Sequence, residues 1–178
     1  MQIKGKKIFI GHGRSPLWRE LKDFIHDRLK LIPDEFNLEP VAGKTAKERL
    51  LKMLDDACFA FLVLTAEDER SDKTKHAREN VVHETGLFQG RLGFEKAIIL
   101  LESSCEEFSN IFGLQQIPFP DGDISAKFEE IRKVLERESI LRSNQARTGE
   151  SLGLSLSQSR SHDSAHRQTR VDLRRGHR

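Results

Sequence analysis

The chain has 178 residues, enough for one domain with a sizeable core. Hydrophobic residues make up 37% and charged residues 33%, and no apolar run approaches the roughly 20 residues of a membrane-spanning helix. The net charge of +2 is unevenly spread: residues 142–178 hold eight Arg and three acids, whereas residues 1–141 hold 22 basic and 25 acidic residues, so the part expected to fold lacks a nucleic-acid footprint.

The predicted elements alternate between short β-rich runs and helical patterns. KKIFIGHG (Lys6 to Gly13) reads as an apolar strand ending in glycines, and its basic start is followed by too few apolar residues for a signal peptide. SPLWRELKDFIHDRLKL follows as a helix with Leu17, Leu21, Phe24, Ile25 and Leu29 at helical spacing, Ser15 as N-cap and Pro16 in the first turn. FNLEPVAG is expected to be a weak second strand, placed at an edge by Pro40. Thr45 is expected to cap the helix TAKERLLKMLDDA, with Glu48 at the capping-box position and a stripe of Leu50, Leu51 and Leu54.

FAFLVLT (Phe59 to Thr65) and KAIILLE are apolar throughout, as strands covered on both faces should be. Between them lie a polar loop, AEDERSDKTKHARE, and a helix within RENVVHETGLFQGRLG. A short helical piece from Cys105 to Ile111, a small strand near LQQIPFP and the amphipathic helix ISAKFEEIRKVLERESI complete the series, the last with Ile124, Phe128, Ile131 and Leu135 on one side. This alternation predicts an α/β fold: a flavodoxin-like, doubly wound parallel sheet of about five strands in the order 2-1-3-4-5. Residues 142–178 are rich in Ser and Arg, carry no periodicity and are expected to be a disordered tail after a domain spanning 1–141.

Ligands of such folds bind beyond the carboxyl ends of the strands. That edge carries Gly11, His12, Gly13 and Arg14 after the first strand, and Gly43, Lys44 and Thr45 before the second helix. Neither is a complete phosphate motif: Pro16 stands where GxGxxG needs its third glycine, and Leu38 stands where a P-loop needs its first. Lys44 and Arg14 remain reasonable phosphate partners, and a tight turn or helix cap explains each motif equally well. His12 and His83 have no partner at metal-ligand spacing, so no metal is expected, and His83 is expected to point away from Glu84. Cys58 and Cys105 form no CxxC pair and read as thiols of a reducing cytoplasm.

The helix within residues 78–93 holds the main puzzle. On a helical wheel Val81, Phe88 and Leu92 face the core, while Gly86, Gly90 and Gly93 share nearly the opposite side, where close covering by a loop or second subunit is expected. Glu84 lies about 60° from the apolar stripe, in a rim beside Ala77, Asn80 and Arg91. A rim glutamate paired with Arg91 or Lys96 is the plain reading; a carboxylate facing a cleft is the alternative.

The stretch ARENVVHETGLFQGRLG resembles the signature of the TIR-like domains of bacterial cyclic-nucleotide-activated antiphage effectors, the CBASS and Pycsar systems. Ala77, Arg78, Glu79, Asn80, Val81, Val82, Glu84, Gly86, Leu87, Gly90, Leu92 and Gly93 carry the match. KIFIGHG, FAFLVLTAEDE and FGLQQIPF extend it, so that it covers about residues 5–138. The resemblance implies an NAD⁺ nucleosidase that releases nicotinamide and ADP-ribose, with NAD⁺ as substrate and no cofactor. It implies Glu84 as the catalytic residue; Gly11, His12, Gly13, Arg14, Gly43, Lys44 and Thr45, from their place at the sheet edge, and Asn80, beside Glu84, are the substrate-binding candidates. It further implies a homo-oligomer whose site is completed by Val41 to Lys47 of a neighbouring subunit, and a cyclic-nucleotide sensor, which residues 142–178 are too few and too polar to supply. A non-enzymatic nucleotide-binding scaffold, a nucleoside deoxyribosyltransferase-like enzyme and nucleic-acid binding through the Arg-rich tail remain as alternatives.

Overall fold

The computed structural model describes residues 7–36, 46–71, 73–108 and 116–141. Three apolar runs form the centre of a parallel sheet: β1 (Lys7–His12), β3 (Ala57–Leu64) and β6 (Ala97–Glu102). Two shorter strands flank them, β2 (Ile32–Asp34) beside β1 and β7 (Gln116–Phe119) beside β6. Numbered within this sheet alone, the order is 2-1-3-4-5, as the alternation predicts, and every pairing is parallel.

Successive strand residues point to opposite faces, so each central strand feeds two cores. Ile8, Ile10, Phe59, Phe61, Val63, Ile98 and Leu100 face one side. There they meet Leu17 and Leu21 of α1 (Leu17–Asp23), Phe24 and Ile25 of the π-helical turn that extends it (Phe24–Arg28), and Ile131 and Leu135 of α4 (Phe128–Arg137). Phe9, Ala60, Leu62, Leu64, Ala97, Ile99 and Leu101 face the other. That side is covered by Met53 of α2 (Ala46–Asp56) and by Val81 and Phe88 of α3 (Glu79–Leu92).

Several sequence expectations are corrected. The edge strand paired with β1 is Ile32–Asp34, and FNLEPVAG, expected there, lies outside the described residues but for Phe36. Three residues containing Pro33 suffice because an edge strand needs few ladder donors. Residues 37–45 lie outside the described residues, and with them Pro40 and the Thr45 cap. Leu51 is exposed, and Met53 supplies the buried contact of α2, with Leu50 and Leu54 packed beside it. The polar loop contains a small antiparallel ladder, β4 (Asp68–Glu69) with β5 (Lys75–His76). Cys105 to Phe108 is not helical: it follows a turn and bridges to β5 through Glu106 and His76. Residues 109–115 and the tail 142–178 are outside the described residues.

Two caps also differ from expectation. Ser15 does not cap α1; Pro16 occupies the N-cap position, and the Ser15 amide donates to the Glu67 carboxylate at 3.0 Å. Gly93 belongs after α3 rather than on its face, because its φ of +87° ends the helix in a conformation that favours glycine. Gly86 and Gly90 do lie on the outer side of α3, but no described atom comes within 4 Å of where their Cβ would stand, so the expected close covering is not found there.

Candidate active site

Val81 and Phe88 pack helix α3 on the sheet, and Phe88 stacks on Phe9 of β1. The rings of Phe9 and Phe88 lie 3.9 Å apart and 10° from parallel. Such a pair contributes about 0.5–1.5 kcal/mol beyond the area it buries. Its larger consequence is register. Two residues along β1 from Phe9, on the same face, is Gly11; one helical turn back from Phe88, on the same side, is Glu84. The stack therefore carries the Glu84 side chain to Gly11, where a missing side chain leaves room for it.

The fit is close. A Cβ added to Gly11 would stand 2.9 Å from Glu84 Oε2, 2.6 Å from Leu62 Cδ1 and 3.2 Å from Phe9 Cε1. Gly11→Ala is therefore expected to destabilise the fold by about 1–3 kcal/mol, the usual cost of overfilling a packed interior. Denaturant unfolding measures it; an unchanged midpoint would mean that the glycine is not required for room.

Glu84 is buried, with 8% of its surface exposed, which corrects the expectation of a rim position. Arg91 does not pair with it, binding Asp55 of α2 at 2.8 Å instead. Among the described residues no hydrogen bond or ion pair reaches the Glu84 carboxylate. Burial strips water from the charged form with nothing in return, and the pKa rises from 4.5 to about 7.

What the carboxylate faces is a cavity of about 560 Å³, lined by Ile10, His12, Gly13, Phe36, Lys47, Leu50, Arg78, Asn80, His83 and Glu84. That volume lies in the range of small-molecule sites. The floor is apolar, and Phe36 is held in place by the Arg49 guanidinium, 4.8 Å from its ring centre. His83, exposed to solvent, is also among the residues that line this cavity. The wheel gives a direction around one helix; it does not show where a cavity opens.

A second carboxylate shapes the turn after β1. Glu67 accepts hydrogen bonds from the Arg14 amide at 2.8 and 2.9 Å, the Ser15 amide at 3.0 Å and the Thr65 hydroxyl at 2.6 Å. It lies directly over Gly13, whose Cβ would overlap it. Burial alone would raise its pKa, but Thr65, the two amides and the nearby Arg78 charge outweigh burial and hold it below the ordinary value. The two glutamates are thus driven apart, Glu84 upward and Glu67 downward, a pattern that marks functional sites.

The candidates from sequence are placed as follows. Gly11 cradles Glu84; His12, Gly13 and Asn80 line the cavity; Arg14 is exposed and does not line it. His12 does not offer its ring nitrogens to the cavity. Nδ1 lies 2.8 Å from the Gly13 carbonyl, Nε2 3.4 Å from Glu35, and the ring stacks on Trp18. Gly43, Lys44 and Thr45 lie outside the described residues. Phe36, Leu50 and Arg78 line the cavity without being site candidates from sequence, and so do His83, expected to point away from Glu84, and Lys47, expected to serve a neighbour's site. Arg78 stands in the signature stretch itself, but its place just before the helix does not show that it reaches a cavity.

Fold and site together define a doubly wound α/β domain with a buried carboxylate at the carboxyl ends of its strands, opening on a cavity of small-molecule size. The model of the TIR domain of CAP12/Pycsar effector proteins matches residues 7–121, and the chain belongs to that family. It is 29% identical over 138 residues to CD-NTase-associated protein 12 of Sphingobacterium faecium, covering 74% of this chain and 41% of that protein. It is 33% identical over 114 residues to the Pycsar effector protein BcPycTIR of Burkholderia cepacia, covering 59% of this chain and 37% of that protein. It is 30% identical over 115 residues to the uncharacterized protein YuaY of Escherichia coli K12, covering 61% and 38%. The chain thus spans about two fifths of the length of these relatives.

Proposed function

We propose that the chain is an NAD⁺ nucleosidase that hydrolyses the bond between nicotinamide and ribose. The observation that supports this best is Glu84, a buried carboxylate without a partner among the described residues, facing a cavity of ligand size. Breaking the bond from C1′ to the nicotinamide nitrogen sends its electron pair to the ring, so the leaving group departs neutral and needs no proton. The ribose left behind is electron-deficient at C1′ and resembles an oxocarbenium ion. A carboxylate in a dry site stabilises that charge far better than one in water. Water then adds to C1′ and gives up a proton, to Glu84 or to solvent, leaving ADP-ribose. The overall balance is NAD⁺ and water giving nicotinamide, ADP-ribose and a proton.

Family membership supports the same reading, and the names of two relatives suggest the setting. We place the chain in the cytoplasm as the effector part of a bacterial antiphage defence system, working with a cyclic-nucleotide sensor that lies outside its folded domain. Self-association is expected to activate it, with residues of the segment 41–46 completing a neighbour's site, while Lys47 lines the cavity of its own chain. Incubation with NAD⁺ over a range of protein concentrations tests both points. Nicotinamide should appear, and its rate should rise faster than linearly with protein. Linear dependence from the lowest concentration would sink the shared site; no nicotinamide at any concentration, even with forced oligomerisation, would sink the nucleosidase.

A further inference from the structure

Where would the negative part of a dinucleotide sit? The turn after β1 is the usual answer for a doubly wound sheet, since its free amides suit phosphate. Here that answer fails. The Arg14 and Ser15 amides are already taken by Glu67, which the Thr65 hydroxyl also holds, and Gly13 is closed over by the same carboxylate. The Arg14 side chain is exposed and outside the cavity. An anion arriving at this turn meets a negative charge.

The cavity wall offers a different partner. Arg78 lines it, half-buried, at the N-cap of α3. Among the described residues no hydrogen bond or ion pair engages its guanidinium, whose charge acts on the nearby Glu67 carboxylate, and no side chain caps the helix that starts there. A half-buried guanidinium that has given up water without gaining an acceptor is poised for one, and its planar fork suits phosphate oxygens. Lys47, exposed and lining the same cavity, has no partner among the described residues and adds positive charge. Nor does Arg78 neutralise Glu84: the two share the cavity without pairing, and burial alone accounts for the raised Glu84 pKa.

The cavity therefore keeps its charges apart, a carboxylate in one part and a guanidinium in another. NAD⁺ is built the same way, with a pyridinium cation joined through ribose to a diphosphate. We infer that Arg78 is the residue that binds the diphosphate of the substrate, and that Glu67 closes the β1 turn against it. This rests on the dinucleotide reading of the site proposed above. It makes Arg78 a substrate-binding residue that selects phosphorylated dinucleotides over uncharged nucleosides, and it removes Arg14 from that role.

The test measures binding first, so that it does not depend on turnover. Calorimetric titration of the full chain with ADP-ribose is expected to give an affinity that falls about 10-fold or more in Arg78→Gln and less in Arg78→Lys, a charge-assisted hydrogen bond being lost. Arg14→Gln should leave it unchanged, and adenosine should bind wild type and Arg78→Gln alike. Added salt should weaken the wild type more than Arg78→Gln. Thermal unfolding of Arg78→Gln should stay close to the wild type, since among the described residues the side chain's interaction is the charge it places near Glu67. In turnover, Arg78→Gln should raise KM for NAD⁺ with kcat little changed, and should leave cleavage of nicotinamide riboside unaffected.

Equal ADP-ribose affinity in wild type and Arg78→Gln, or no ADP-ribose binding by the wild type, overturns the inference. A larger loss in Arg14→Gln than in Arg78→Gln overturns it too. The two claims fail separately. Arg78-dependent binding without nicotinamide release keeps this inference and sinks the nucleosidase; nicotinamide release with Arg78-independent binding does the reverse.

Discussion

Raising the pH from about 5 to about 9 is expected to increase kcat/KM for NAD⁺ by up to about 100-fold, with the inflection near 7, where Glu84 titrates. An ordinary glutamate is already ionised at pH 5 and would give a flat profile over that range. Here desolvation keeps the carboxyl protonated until about pH 7, and the protonated form cannot stabilise a positive ribose. The cationic nicotinamide ring should favour the ionised form when bound. The profile of kcat, which reports the complex, should therefore turn over at lower pH than that of kcat/KM, which reports the free protein. A profile for kcat/KM that is flat between pH 5 and 9 would remove Glu84 from the rate.

Glu84→Gln is expected to be more stable than the wild type at neutral and higher pH. The sign follows from linkage. The folded chain holds the Glu84 proton up to about pH 7, whereas the unfolded chain loses it near 4.5. Between those values the folded state binds more protons, so wild-type stability falls as the pH rises. Above pH 7 the whole penalty is present, on the order of 3 kcal/mol for a shift of this size. Glutamine keeps the shape and never ionises. The advantage of the variant should be small at pH 4, grow through the window from 4.5 to 7, and reach a rise in Tm on the order of 10 °C at pH 8.

Glu67→Gln should behave oppositely. Its folded pKa is lowered, so its charge contributes stability above the unfolded value that is lost as the pH falls. That variant should be less stable than the wild type at pH 7, and the deficit should shrink in acid. Two carboxylates of one site with opposite slopes are hard to produce by general damage to the fold.

Much of the architecture was legible because it rests on local pattern. Three apolar runs and the helical spacing between them are enough for the sheet order, since right-handed crossovers leave few other topologies. The parts that were not legible depend on contacts distant in sequence. Ile32–Asp34 is too short and proline-bearing to read as a strand, and it forms because β1 offers it an edge. The β4–β5 ladder consists of charged residues and histidine, with no alternation to detect.

The site divides along the same line. Glu84 stands out in sequence as an acid among apolar residues and glycines, but its burial depends on Gly11, 73 positions earlier, having no side chain. Arg14 was a sensible phosphate candidate until Glu67, separated from it by 53 positions, occupied the amides beside it. Arg78 lay inside the quoted motif, yet nothing about a residue just before a helix says that it will reach a cavity. Helix periodicity locates a side chain around its own axis. What the side chain meets is decided by the strand beneath it.

The central claim is that one carboxylate lowers the energy of a transiently positive ribose. The most direct measurement is nicotinamide release from NAD⁺ at about pH 8 by wild type and Glu84→Gln, at equal protein concentration and with folding of both verified by their melting curves. The account predicts release by the wild type and a rate lower by about 100-fold or more in the variant, even though the variant melts higher. Equal rates from the two proteins would contradict it.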